Sequence, residues 1–208
     1  MALSRVFTAL AEVLVMTAML LSYIWGWKGA FPGHLLACAI LYFTIGIWSH
    51  AWRGEKAVEI GFRLDNLAPA LRNALWVVGP LLLIPLVFGA VLGSYHYPSP
   101  LQSAKVLAWG WFWGTAQQYG LLCFFYRRLS ELLRDERWAM PVAGLLFALF
   151  HVPNPFLMAY TMVAGTLSCW LYRRHPNVFV LGSLHAIVAY VIHYSLPMWL
   201  TLGSKVGP

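Results

Sequence analysis

The stretch Val6-Phe-Thr-Ala-Leu-Ala-Glu12-Val-Leu-Val-Met-Thr-Ala-Met-Leu-Leu-Ser-Tyr-Ile-Trp25 runs for 20 residues with a single charged group, Glu12. An α-helix of that length is about 30 Å long, the thickness of the hydrocarbon core of a bilayer. Arg5 precedes the run, and Trp25 and Trp27 follow it. Indole rings favour the membrane–water interface, so the run reads as a membrane-spanning helix. A basic residue before an apolar run also opens a signal peptide, whose apolar part is about 7–15 residues long. This run is longer and is read as a retained first span.

The same pattern recurs along the chain. Spans are expected near 6–25, 34–52, 72–93, 104–126, 139–152, 155–172 and 178–201. Of the 208 residues, 61% are hydrophobic and 10% are charged, against about 25% charged in a soluble domain. The fold class is therefore all-α: one polytopic transmembrane helix bundle of about seven spans over residues 1–208. No linker, low-complexity tract or internal repeat divides it. Cys38, Cys123 and Cys169 sit inside apolar runs without metal or redox spacing and read as small buried hydrophobes.

The formal charge of +7 raises nucleic acid as a partner. The basic residues lie in short loops between apolar runs, where positive-inside retention and anionic lipid account for them, so the expected partner is the bilayer and not nucleic acid. Arg5, Arg53, Lys56, Arg63, Arg72, Arg127, Arg128, Arg134, Arg137, Arg173 and Arg174 fall on one side of a seven-span arrangement, and Lys28, Lys105 and Lys205 on the other. Eleven against three puts the N-terminus in the cytoplasm and the C-terminus outside. Residues 53–72 and 127–138 mix charged with apolar side chains and are expected as helices lying on the membrane surface.

Ionisable and strongly polar side chains within spans are costly and need a reason. Glu12, Gln117, Gln118, His151, His185 and His193 are such residues. His34, His50, His96 and His175 lie near span ends, where water reaches them. At about 1.5 Å per residue, Gln117, His151 and His185 stand about 15, 18 and 12 Å above the same membrane edge. Three spans thus bring polar groups to one level, while His193 falls nearer the outer face. Glu12 either bonds to a neighbouring helix in its protonated form or faces this cluster. Two histidines without a carboxylate or third ligand make a poor zinc site, so no metal is expected; the sequence names no cofactor.

The segment Ala143-Gly-Leu-Leu-Phe147-Ala-Leu-Phe-His151-Val-Pro-Asn-Pro155 resembles the FxxxH motif of the CPBP family, which holds the CAAX prenyl proteases and bacteriocin-processing proteins. The likeness continues through Gly165, Leu171-Tyr-Arg-Arg-His-Pro-Asn177 and Gly182-Ser-Leu-His185-Ala186, and covers residues 104–195. It implies a glutamate-type intramembrane endopeptidase in which a paired-Glu motif, EExxxR, activates water. Histidines assist, and an Asn stabilises the oxyanion.

The matching positions here read Gln117-Gln118-Tyr-Gly-Leu-Leu122. Both acids are amides, the motif Arg is Leu122, and the motif Asn falls on Ala189. A neutral amide cannot take the proton that a carboxylate takes from water.

The candidate site is therefore Gln117, Gln118, His151 and His185, with Glu12, Phe147 and His193 in support. Three functions follow. The first is a CPBP-like protein with a degenerate site that binds a lipidated or membrane peptide without cutting it. The second is an endopeptidase with rewired acid–base groups, Glu12 or His185 serving as base. The third is an enzyme acting on an apolar or isoprenoid lipid through the His/Gln cluster. The expected location is the cytoplasmic membrane of a bacterium.

Overall fold

A computed structural model describes residues 2–204, 206 and 207, which leaves Lys205 outside the described residues. The described chain is all helix and turn, without strands. Its helices are α1 (Ala2–Ser22), α2 (His34–Arg53), α3 (Leu67–Leu92), α4 (Pro100–Gln118), α5 (Arg127–Leu133), α6 (Glu136–Leu149), α7 (Pro155–Arg174), α8 (Val178–Ser195) and the short α9 (Met198–Thr201). A π-helical turn, Tyr23–Trp27, extends α1. A longer π stretch, Tyr119–Tyr126, joins α4 to α5 without leaving right-handed helical geometry.

Four segments are long and apolar enough to cross a membrane: Ser4–Trp27, His34–Arg53, Leu67–Leu92 and Val178–Ser195. Large apolar side chains cover the outside of the bundle, with Trp76 82% and Val91 78% exposed. Water would penalise so large an apolar surface, whereas lipid tails solvate it.

The expected segments need correction at three places. Residues 54–66 form a turn-rich loop and not a surface helix. Gly54, at φ 68°, ends α2 in the left-handed region that glycine tolerates. Residues 127–133 are also not a surface helix. They continue α4 into the core, where Arg128 is completely buried. The span expected over 178–201 stops at Ser195, because Pro197 cannot continue a regular helix.

Small residues set the closest helix contacts. A Cβ added at Gly182 on α8 would lie 2.7 Å from the Thr115 Cα on α4, and one at Gly144 on α6 would lie 2.6 Å from the Met162 carbonyl on α7. Such approaches replace the hydrophobic drive that lipid cannot supply. The resulting α4–α8 and α6–α7 pairs carry the polar residues of the spans.

The loops holding most of the arginines meet at one end of the bundle. The Asn177 side chain caps α8 by accepting from the Val180 amide and donates to the Arg63 carbonyl and to Asn66. Glu136 pairs with Arg173 at 2.5 Å. At the opposite end the His96 amide donates to the Tyr194 carbonyl, and Lys28 Nζ donates to the Val206 carbonyl.

Candidate functional site

Gln118 is the last residue of α4 before the winding changes to π. Ser99 starts the helix as N-cap, accepting from the Gln102 amide, with Pro100 at the first helical position. A π stretch loosens the regular carbonyl pairing and is common at functional sites. Here the Tyr42 hydroxyl from α2 donates to the Ala116 carbonyl at 2.7 Å, just ahead of the change. The π stretch itself is buried along its whole length.

His151 is placed by the turn between α6 and α7. The turn is tight: the amides of His151 and Val152 donate to the carbonyls of Ala148 and Leu149, and the Asn154 amide to that of His151. The fully buried Asn154 then caps α7, accepting from the Leu157 amide. His151 Nδ1 lies 2.7 Å from the Phe147 carbonyl. A carbonyl only accepts, so Nδ1 carries the proton and Nε2 keeps its lone pair.

His185 sits in the middle of α8. Its Nδ1 is 3.1 Å from Gln118 Nε2. Either face of the amide fits this contact: Nε2 donates to Nδ1, or Oε1 accepts from Nδ1–H with the amide turned. With Nε2 donating, the buried Gln118 Oε1 has no hydrogen-bond partner. The Phe147 ring lies against both histidines, 5.0 Å from the ring of His151 and 6.1 Å from that of His185.

Gln117, Gln118, Phe147, His151 and His185 line one cavity of about 470 Å³. Ala189, the position of the missing Asn, lines it too. Aromatic and aliphatic groups from several helices, including Trp113, Phe125, Phe150 and Leu184, form the rest of the wall. Among the described residues Lys28 is its one charged lining residue, and no Asp or Glu lines it. Among the described residues no group of three His, Cys, Asp or Glu could hold a metal ion.

Two supporting residues lie elsewhere. His193 is exposed on α8, edge-on to Tyr194, and does not line the cavity. Glu12 also lies away from the cavity, in a buried ion cluster. Its carboxylate meets Arg53, with Nη1 2.9 Å from Oε1 and Nη2 2.8 Å from Oε2, and Arg128 Nε lies 3.6 Å away.

The rest of that cluster was not anticipated from the sequence. Arg128 pairs with Glu131 at 2.6 Å and with Glu55, and its Nε donates to Ser49 Oγ at 2.9 Å. Arg127 reaches Glu55 at 2.5 Å, and Arg53 reaches Glu131 at 3.0 Å. His50, expected to reach water, is buried with Nδ1 2.6 Å from Glu55. Three carboxylates thus balance three guanidinium groups, with Glu12, Arg53 and Arg128 buried and Arg127 and Glu131 part-exposed at the edge, and pairing is the condition under which buried charge is tolerated. The available signal was the closeness of Glu55 to Arg53 and of Glu131 to Arg127 and Arg128 along the chain.

Residues 118–191 match the family described as type II CAAX prenyl endopeptidase Rce1-like. The resemblance to the CPBP family holds over that segment, which carries Gln118, His151 and His185. The match covers about a third of the chain, and with the apolar helices it suggests an integral membrane protein with a CAAX-protease-like segment. No curated protein and no solved structure matches the chain.

Proposed function

We propose that the chain is a CAAX-protease-like membrane protein whose cavity binds a lipidated or membrane peptide without cutting it by the glutamate mechanism. One observation carries this reading: Gln118, and not a carboxylate, is the group bonded to His185, in a cavity that no Asp or Glu lines among the described residues. Peptide hydrolysis needs a base to deprotonate water and donors for the developing oxyanion. The amide can orient a carbonyl or a water but takes no proton, and Ala189 offers no donor. What the site retains suits binding: an apolar wall for a lipid or side chain, and a Gln/His pair for a peptide group.

Alternation of basic loops supports seven spans with the N-terminus in the cytoplasm, in a bacterial cytoplasmic membrane. Protein in bilayer vesicles, given a membrane peptide whose prenylated cysteine is followed by three further residues, should retain the peptide intact. Cleavage that disappears in His151→Ala would overturn the reading.

The rewired endopeptidase has one observation in its favour, the free lone pair on His151 Nε2. Its base would then be His151 or His185, since the Glu12 carboxylate is held by Arg53. The apolar lining equally suits chemistry on an isoprenoid lipid, which comparing the lipids of cells with and without the protein would reveal.

A further inference from the structure

A second cavity of about 410 Å³ opens on a different face of the bundle, where α3, α6 and α7 meet. Val77, Met140, Pro141, Leu167 and Trp170 give it an apolar lining, and Arg137 is its one charged lining residue. A second cation stands beside it: the Arg174 guanidinium carbon lies 3.7 Å from the centre of the Trp170 ring.

These two arginines differ from their neighbours. Arg53, Arg127, Arg128 and Arg173 pair with glutamates, whereas Arg137 and Arg174, like Arg5, Arg72 and Arg134, have no carboxylate partner among the described residues, and these two alone flank the Trp170 groove. Both are exposed, as is Trp138 next to Arg137. Indole rings concentrate at the headgroup level of a membrane. The groove therefore has an apolar floor, two uncompensated guanidinium groups and interfacial aromatics.

We infer that this groove binds an anionic phospholipid, one acyl chain lying along Val77, Met140 and Leu167 and the phosphate meeting Arg137 and Arg174. The guanidinium fork matches phosphate oxygens geometrically, and basic pockets between membrane helices hold anionic headgroups. The occupant is a lipid and not a free anion, because the walls beneath the arginines are apolar and the bundle's exterior faces hydrocarbon. Val77 and Leu167 line the central cavity as well, so a bound lipid would lie one layer of side chains from it. This inference does not depend on what the central cavity does.

The test uses purified full-length protein in mild detergent, titrated with phosphatidylglycerol, phosphatidylcholine, glycerophosphate or inorganic phosphate. Bound lipid is counted by native mass spectrometry and thermal stability is followed in parallel. Phosphatidylglycerol should bind at least about tenfold more tightly than phosphatidylcholine and raise the melting temperature. Arg137→Gln with Arg174→Gln should abolish that preference while leaving lipid-free stability and phosphatidylcholine binding in place. Equal binding of the two lipids, or a preference that survives the double substitution, would overturn the inference. A matching thermal shift from glycerophosphate or inorganic phosphate would overturn it too, by assigning the arginines to a simple anion site.

Discussion

Glu12 and Arg53 lie 41 residues apart in the chain, yet Arg53 Nη2 stands 2.8 Å from Glu12 Oε2 with both side chains almost fully buried. The contact ties α1 to the end of α2, and Arg128 extends it to the α4–α5 helix. Removing the Glu12 charge leaves the buried Arg53 with only the part-exposed Glu131 as a charged partner, a loss of about 1–3 kcal/mol. Glu12→Gln should therefore lower the thermal stability of the protein in detergent by that order. Glu12→Gln with Arg53→Met should be less harmful than the two separate losses combined, because no orphan charge remains. Additive losses would show that the two groups are not energetically coupled.

The same cluster predicts an acid limit to stability. Burial opposes ionisation of Glu55, but hydrogen bonds from His50, Arg128 and Arg127 and the charge of Arg128 outweigh it and hold the carboxyl well below its ordinary value of 4.5. A group whose folded value is depressed contributes stability above the unfolded value and loses it as pH falls toward the folded one. The protein should lose stability progressively as pH drops below about 4.5. Glu55→Gln should be weaker than wild type at neutral pH and show a flatter decline across that acid window. Melting curves from pH 7 to pH 3 would measure both effects.

The parts of the fold read from the sequence are those governed by hydropathy and punctuation. Apolar runs locate the long helices, and the break between the expected spans 139–152 and 155–172 locates the turn that carries His151. Equal depth placed Gln117, His151 and His185 at one level, and all three line one cavity. Residues 127–133 were misplaced because charge alone suggested a surface helix. Pairing with Glu55, contributed by another segment, and with Glu131 on its own helix accompanies the burial of Arg128 in the core. Depth also cannot tell which way a helix faces, and it is facing that separates Glu12 and His193 from the cavity. Nor does residue type announce the π winding over Tyr119–Tyr126, a tertiary feature that Tyr42 supports through the Ala116 carbonyl.

Close helix approach should control the site geometry. A Cβ at Gly182 would lie 2.4 Å from Thr115 Oγ1 and 2.7 Å from its Cα. The Cα cannot rotate away, so Gly182→Ala must push α8 from α4. Overpacking of this kind costs about 1–3 kcal/mol. His185 on α8 and Gln118 on α4 should separate beyond their 3.1 Å contact. Crosslinking between cysteines placed on the two helices would report the displacement. Unchanged crosslinking with full stability would mean that the packing relaxes locally.

Restoring the missing carboxylate is the most direct test of the site's chemistry. Gln118→Glu changes the amide into a carboxyl of the same length beside His185, within reach of the cavity. If the absence of a base is what prevents hydrolysis, this substitution should create cleavage of a prenylated membrane peptide where wild type shows none. A positioned base contributes about 10²–10⁴-fold. Ala189→Asn, on the cavity wall one helical turn after His185, should add an oxyanion donor and raise the rate by about a further 10²-fold. Both gains should vanish with His185→Ala, because the new carboxyl would lose its partner. A Gln118→Glu, Ala189→Asn protein that is folded, binds the peptide and still does not cut it would mean the two motif positions are not enough. The search for the missing group would then turn to Gln117, the other amide of the pair, which lines the same cavity.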